Sequence, residues 1–151
     1  MESQLPQVVR TYYDSGELKE EYFEMNGKKE GEYKLYYENG NIGRISNYYN
    51  GKLNGELKEF FIKGNIRRIF NYINGELNGR YIHYYSNGNL WDVYNYVNEK
   101  IHGIRKIYSK YGYLIEVFNY VDDKMNGEYQ EYNEDGDIIN TKYYINDVLQ
   151  E

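Results

Sequence analysis

The chain has no cysteine, no alanine, one proline and one tryptophan in 151 residues. Without cysteine it can form neither disulfides nor thiolate metal sites, and a reducing, cytoplasmic compartment is expected. The missing alanine and scarce leucine remove the strongest helix formers, while 22 tyrosines with frequent isoleucine favour strands. No stretch approaches the ~18 consecutive apolar residues of a membrane-spanning helix, and the opening MESQLPQVVR lacks the apolar centre of a signal peptide. The net charge of −6 is unevenly spread. Residues 1–75 carry 11 basic and 11 acidic groups, whereas residues 76–151 carry 7 and 13. Such a balance disfavours general binding to nucleic acid or anionic membranes, leaving only local basic patches for that purpose.

What the chain does have is a ruler. Gly16, Gly40, Gly64, Gly88, Gly112 and Gly136 recur every 24 residues, as do Gly31, Gly55, Gly79, Gly103 and Gly127. A third series, Gly27, Gly51 and Gly75, continues as Glu99, Asp123 and Asp147. Of the 15 glycines only Gly43 lies off these marks. Strict recurrence of this kind denotes a repeat array in which each unit packs on its neighbours. We read an N-terminal edge segment, 1–11, followed by six 24-residue repeats over 12–151, the last truncated.

Each unit carries two turn signals about a dozen residues apart, such as Asn39-Gly40 and Asn50-Gly51, with Tyr, Ile and Val between them. Asn-Gly tolerates positive φ at both positions, so each signal predicts a tight hairpin turn. Two strands per unit give roughly a dozen antiparallel strands, about 55 Å of sheet at ~4.8 Å per strand. Folding at Lys63-Gly64 pairs Phe61 with Ile66, Glu59 with Arg68, Leu57 with Phe70 and Gly55 with Tyr72. The next unit pairs Tyr85 with Leu90, His83 with Asp92, Tyr81 with Tyr94 and Gly79 with Tyr96. A glycine thus faces a tyrosine in five units, where a ring can cover bare backbone, and Gly43 falls opposite Tyr36. One face gathers Tyr, Phe, Leu and Ile and is expected to be packed and concave. The other carries Asn47, Asn71, Asn95 and Asn119, expected to form a hydrogen-bonded ladder.

Candidate chemistry is sparse. His83 opposite Asp92 has the make-up of half an acid–base pair, but no nucleophile stands beside it, and a cross-strand contact explains it equally. His102 occupies a column otherwise held by asparagine and reads as a turn residue. The acids around Gly136 lack the ligand spacing of a calcium loop. No catalytic residue, metal or cofactor is expected. The tyrosine column Tyr48, Tyr72, Tyr96 and Tyr120 is the candidate interaction surface, although core packing is the plainer use of such rings. Lys58, Lys63, Arg67 and Arg68 form the local basic concentration and are the candidate anionic contact, against the ordinary reading of a solvated surface.

The segments NGKLNGELKEFF, NGELNGRYIHYYSNGNL and MNGEYQEYNEDGDI resemble the MORN repeat, in its NGK-x-x-GEY-x-x-YY-x-NG variant. The resemblance runs over about residues 12–151 and implies an all-β, elongated, single-layer antiparallel sheet of tandem hairpins. It also implies a non-enzymatic module for protein–protein interaction or assembly. The alternatives it carries are a membrane-peripheral module touching anionic headgroups and an antitoxin-like binder of a partner protein. The variant occurs in bacterial, protist and large-DNA-virus proteins, and for a viral source the compartment becomes the host cytoplasm. A homodimer or edge-to-edge self-association is a further expectation, because open strand edges invite pairing. Units four to six depart from the pattern at Asn98-Glu99, Asp122-Asp123 and Asn146-Asp147, and looser turns are expected there.

Overall fold

A computed structural model describes residues 5–151, so the first four residues of the expected N-terminal edge segment lie outside it. Seventeen antiparallel strands and no helix are found among the described residues, and the protein is all-β. The chain divides into two compact units, residues 1–76 and 77–151, the division falling inside β8 (Glu76–Leu77).

The first unit is a meander of β1 (Gln7–Tyr12), β2 (Leu18–Met25), β3 (Lys28–Tyr36), β4 (Ile42–Tyr49), β5 (Lys52–Leu53), β6 (Gly55–Phe60) and β7 (Ile66–Ile73). The second unit repeats the pattern with β9 (Gly79–Tyr84), β10 (Leu90–Val97), β11 (Lys100–Ile101), β12 (Gly103–Tyr108) and β13 (Leu114–Val121). It continues through β14 (Lys124–Met125), β15 (Gly127–Tyr132), β16 (Ile138–Ile145) and β17 (Val148–Leu149). The count exceeds a dozen because a break at Asn54, Asn78, His102 or Asn126 splits one strand of most hairpins in two. At each break the following glycine sits in the left-handed region, with φ +100° at Gly55.

The register is the expected one along the strand centres. Leu57 faces Phe70, Glu59 faces Arg68, and Gly55 faces Tyr72. Tyr81 faces Tyr94, and His83 faces Asp92. The five glycine–tyrosine pairs all form. At Gly55 the reason differs from the expected ring cover. A Cβ on Gly55 would meet nothing within 4 Å, so its left-handed φ, costly for any residue with a side chain, is what requires glycine.

Near the first turn the expected register fails by one residue. Phe60, not Phe61, faces Ile66, and Tyr84, not Tyr85, faces Leu90. Two causes combine. In the second repeat the Gly40 N–H donates to the Tyr37 carbonyl at 2.9 Å and the Tyr37 N–H to the Asn41 carbonyl at 2.7 Å. Gly40 alone is left-handed there, which makes a three-residue loop with a glycine bulge rather than a two-residue turn. One strand then inserts an extra residue before the regular ladder resumes: Arg67 between Ile66 and Arg68, Trp91 between Leu90 and Asp92. Gly43 holds this inserted position, since Tyr36 faces Ile42 and Leu35 faces Arg44. It is therefore not opposite Tyr36. Its missing Cβ would lie 3.3 Å from the Tyr37 ring, so glycine there makes room for Tyr37.

The second turn keeps one geometry throughout. Asn50 and Gly51 have φ of 50° and 80°, and Asn98-Glu99 has 50° and 64°. Asp122-Asp123 and Asn146-Asp147 follow the same conformation. The expected loosening of the later turns does not occur, because each is tied to the turn before it. The second turn residue donates its N–H to a carbonyl one repeat back, from Gly75 to Leu53 at 2.7 Å and from Asp123 to Ile101 at 3.0 Å. The Asp123 and Asp147 carboxylates also accept from the N–H groups of Ile101 and Met125, both at 2.7 Å. The first turns are stitched similarly: Tyr13 and Tyr37 hydroxyls donate at 2.6 Å to the carbonyls of Tyr36 and Phe60.

Burial follows the aromatic face. Tyr33, Leu57, Tyr81 and Tyr129 are the buried apolar residues, all on the face expected to be packed. The asparagine column also bonds through its backbone. The Asn47, Asn95 and Asn119 carbonyls accept from the residues at the strand breaks, and the Asn119 amide donates to the Glu128 carbonyl at 2.7 Å.

Candidate functional site

The 24-residue repeat turns positions into columns. The central column of the packed face holds Tyr33 and Leu57 in the first unit, and Tyr81, Arg105 and Tyr129 in the second. Beside it runs the tyrosine column, in which Tyr48, Tyr72, Tyr96 and Tyr120 are all half-buried. Each leans on a ring of the core: Tyr48 lies edge-on to Tyr33 at 5.8 Å, and Tyr72 lies 6.3 Å from Phe70. Tyr96 is 5.3 Å from Tyr94, with the two hydroxyls 3.2 Å apart, and Tyr120 is 6.0 Å from Phe118. Within each unit the two tyrosines therefore share one face and split their surface between packing and solvent.

In the first unit the tyrosines enclose a cation. The Lys29 Nζ lies 4.2 Å from the Tyr33 ring centre, 4.5 Å from Tyr22 and 5.4 Å from Tyr48. The Tyr33 hydroxyl donates to Glu20 at 2.6 Å. That bond is the main cause holding the Glu20 carboxyl below its usual 4.5, against the opposing effect of burial. Burial, with this carboxylate neighbour, pushes the Tyr33 hydroxyl upward.

The second unit places an ion pair in the same face. Arg105 occupies the central column, its guanidinium 5.3 Å from the Tyr94 ring and 5.9 Å from Phe118. Its Nε and Nη2 donate to the two oxygens of buried Asp92 at 3.0 and 2.7 Å. Burial acts to lower the Arg105 pKa, but the hydrogen bonds and charge of Asp92 outweigh it and raise it. Asp92 is thus engaged by Arg105 while His83, its cross-strand partner, stacks on Trp91 at 4.4 Å. Farther along, the Tyr129 hydroxyl lies 2.8 Å from Glu116 and 2.6 Å from Glu131, which face each other across the strands. His102 Nδ1 is 3.5 Å from the Asp122 carboxylate beside the second turn. In the acidic turn Asn133 Oδ1 accepts from the N–H groups of Asp135 and Asp137, at 3.1 and 2.8 Å.

Of the four basic candidates, the fold brings Arg67 and Arg68 to one pocket and leaves Lys58 and Lys63 outside its lining. Lys58 pairs with Glu56 at 2.6 Å, while Arg68 pairs with Glu59 at 2.7 Å. The register puts Lys58 beside Ile69 on one face and Arg68 beside Glu59 on the other. Lys63 is exposed in the first turn, and Arg67 lies over the Phe61 ring at 5.8 Å. What the fold assembles is an arginine pocket of about 180 Å³, lined by Arg44, Arg67, Arg68 and Glu59, with Tyr37 and Gly43 alongside. Leu35 and Phe60 supply its apolar wall. Arg44 gives no signal along the chain, because no basic residue lies near it in sequence. Its column reveals it, since Arg44 and Arg68 are 24 residues apart and both face Glu59.

A family model described as the MORN repeat variant matches residues 8–23, 29–50, 77–98 and 125–146, together more than half of the chain. No curated protein matches it.

Proposed function

The chain belongs to the MORN repeat variant family, and we propose that it is a non-enzymatic module that binds a protein partner, with the tyrosine column of its aromatic face as the candidate surface. We read the array as six 24-residue units of the NGK-x-x-GEY variant, two more than the segments the family model covers. MORN repeats are generally associated with protein and membrane interactions. The observation that carries the protein reading is the balance of apolar surface. Only four large apolar side chains are buried among the described residues, whereas twenty are more than a third exposed, with Tyr49, Ile73, Val97, Val121 and Ile145 among them on the asparagine side of their strands and Tyr111 in a turn. Sheets that leave this much apolar surface open offer it to a partner. The antitoxin-like reading is a special case of the same proposal, with a toxin as the partner.

The membrane-peripheral alternative needs a concentrated basic face. Lys58 and Arg68 point from opposite faces, and each is paired to an acid, so this alternative is the weaker. Two experiments separate the readings. Affinity capture from the native source is expected to return a specific protein, and co-sedimentation with anionic vesicles at low salt is expected to return nothing. Vesicle binding without a protein partner would reverse the assignment.

A further inference from the structure

The arginine pocket of the first unit holds more hydrogen-bonding capacity than it uses. Three guanidinium groups line it against one carboxylate, Glu59. Glu59 takes the Nη2 of Arg68, but the Nε atoms of Arg44 and Arg68 are buried and make no hydrogen bond among the described residues. A buried charged donor without an acceptor is unfavourable, and a ligand that supplies the acceptor relieves that cost. The protein's own Arg105 shows which acceptor fits. Its Nε and Nη2 edge holds a carboxylate side-on through two bonds, at 3.0 and 2.7 Å. On Arg68 that same edge is only half used.

Resting on the reading of a protein-binding face, we propose that this pocket receives an aspartate or glutamate side chain of the partner. About 180 Å³ accommodates a carboxylate with its methylene stem, and Leu35 and Phe60 give that stem an apolar wall. The paired forks of Arg44 and Arg68 match a planar carboxylate. Gly43 keeps the site open. The same column carries Arg67, Trp91, Ile115 and Ile139 in later repeats, and a Cβ at Gly43 would crowd the Tyr37 ring at 3.3 Å. The one glycine off the ruler thus stands at this arginine-lined pocket. A flat lipid surface suits this geometry poorly, because Lys58 and Lys63, the nearby lysines, are not part of the pocket lining.

The arginine Nε–H resonances of the intact, 15N-labelled protein read this directly. Acetyl-Gly-Glu-Gly-amide is expected to shift the Arg44 and Arg68 Nε–H signals, and the Gln analogue to leave them in place. Arg44→Gln is expected to weaken the effect about ten-fold, the loss of one charge-assisted bond, and Arg67→Gln, which removes a lining charge, about three-fold. Arg67 is exposed, so its variant keeps the fold and covers the case in which Arg44→Gln does not. No shift, or the same shift with the Gln peptide, overturns the inference. Tighter binding of inorganic phosphate or phosphatidylserine vesicles through the same signals overturns the carboxylate assignment. A captured partner that binds both variants as well as the parent overturns it too, while leaving the protein-binding reading in place.

Discussion

In the first unit the column beside the buried core carries Glu20, Arg44 and Arg68; in the second it carries Asp92, Glu116 and Asn140 at the same 24-residue marks. The backbone around them is equivalent. Arg68 faces Glu59 as Asp92 faces His83, each just past an inserted residue. The consequences are opposite. The arginines of the first unit surround a pocket with spare donors, whereas Asp92 is closed off by Arg105 from the central column. The second turns differ in the same manner, Asn-Gly in the first unit against acidic second residues in the second, on one shared conformation. The repeat therefore dictates where each side chain stands, and the individual residue dictates what that place does.

The largest effect should come from breaking the ion pair that replaces aromatic packing in the second unit. Arg105→Met leaves the Asp92 carboxylate buried without its partner and is expected to cost about 3 kcal/mol in urea unfolding. The double variant Asp92→Asn/Arg105→Met removes the stranded charge and should recover most of that loss. A double variant no more stable than the single one would mean that the guanidinium serves by filling space between Tyr94 and Phe118.

A smaller effect is expected at the second turns. Glu99 adopts a left-handed φ with no compensating side-chain bond among the described residues, so Glu99→Gly should stabilise by about 1 kcal/mol and Gly75→Glu should destabilise by a similar amount. Asp123→Gly should change little, since the relief of strain is set against loss of the 2.7 Å bond to the Ile101 N–H. Thermal melts of the three variants check the order. A stabilised Asp123→Gly would show that the carboxylate bond contributes nothing.

The smallest effect concerns acid. The Glu20 carboxyl is held below 4.5 in the folded chain, so its stabilising contribution is complete above that value and is lost as pH falls through the lowered folded value. Glu20→Gln should flatten the stability profile in that acid range and leave neutral pH nearly unaffected. A profile parallel to the parent's at all pH values would remove Glu20 from the list of acid-sensitive groups.

Much of the backbone was legible in the sequence, because hairpins between marks 24 residues apart leave one register that puts Leu57, Tyr81 and Tyr129 on one face. The inserted residue was not legible. Lys19, Gly43, Arg67, Trp91, Ile115 and Ile139 share no chemistry, since the position asks only for a bulged backbone. The conformation of the later second turns was hidden too, because the bonds holding Glu99 and Asp123 left-handed come from a neighbouring repeat. At the candidate site, the tyrosine column could be read from spacing alone. The arginine pocket could not, as Arg44, Glu59 and Arg68 meet only after strands are paired across repeats.

The protein-binding role of the aromatic face is tested most directly by affinity capture from the native source with three baits. These are the parent chain, Tyr48→Ser/Tyr120→Ser on the packed face, and Asn47→Ala/Asn95→Ala on the other, each first shown to be folded. The expected result is one specific protein retained by the parent and by the asparagine variant and lost by the tyrosine variant. Retention by the tyrosine variant with loss by the asparagine variant would contradict it.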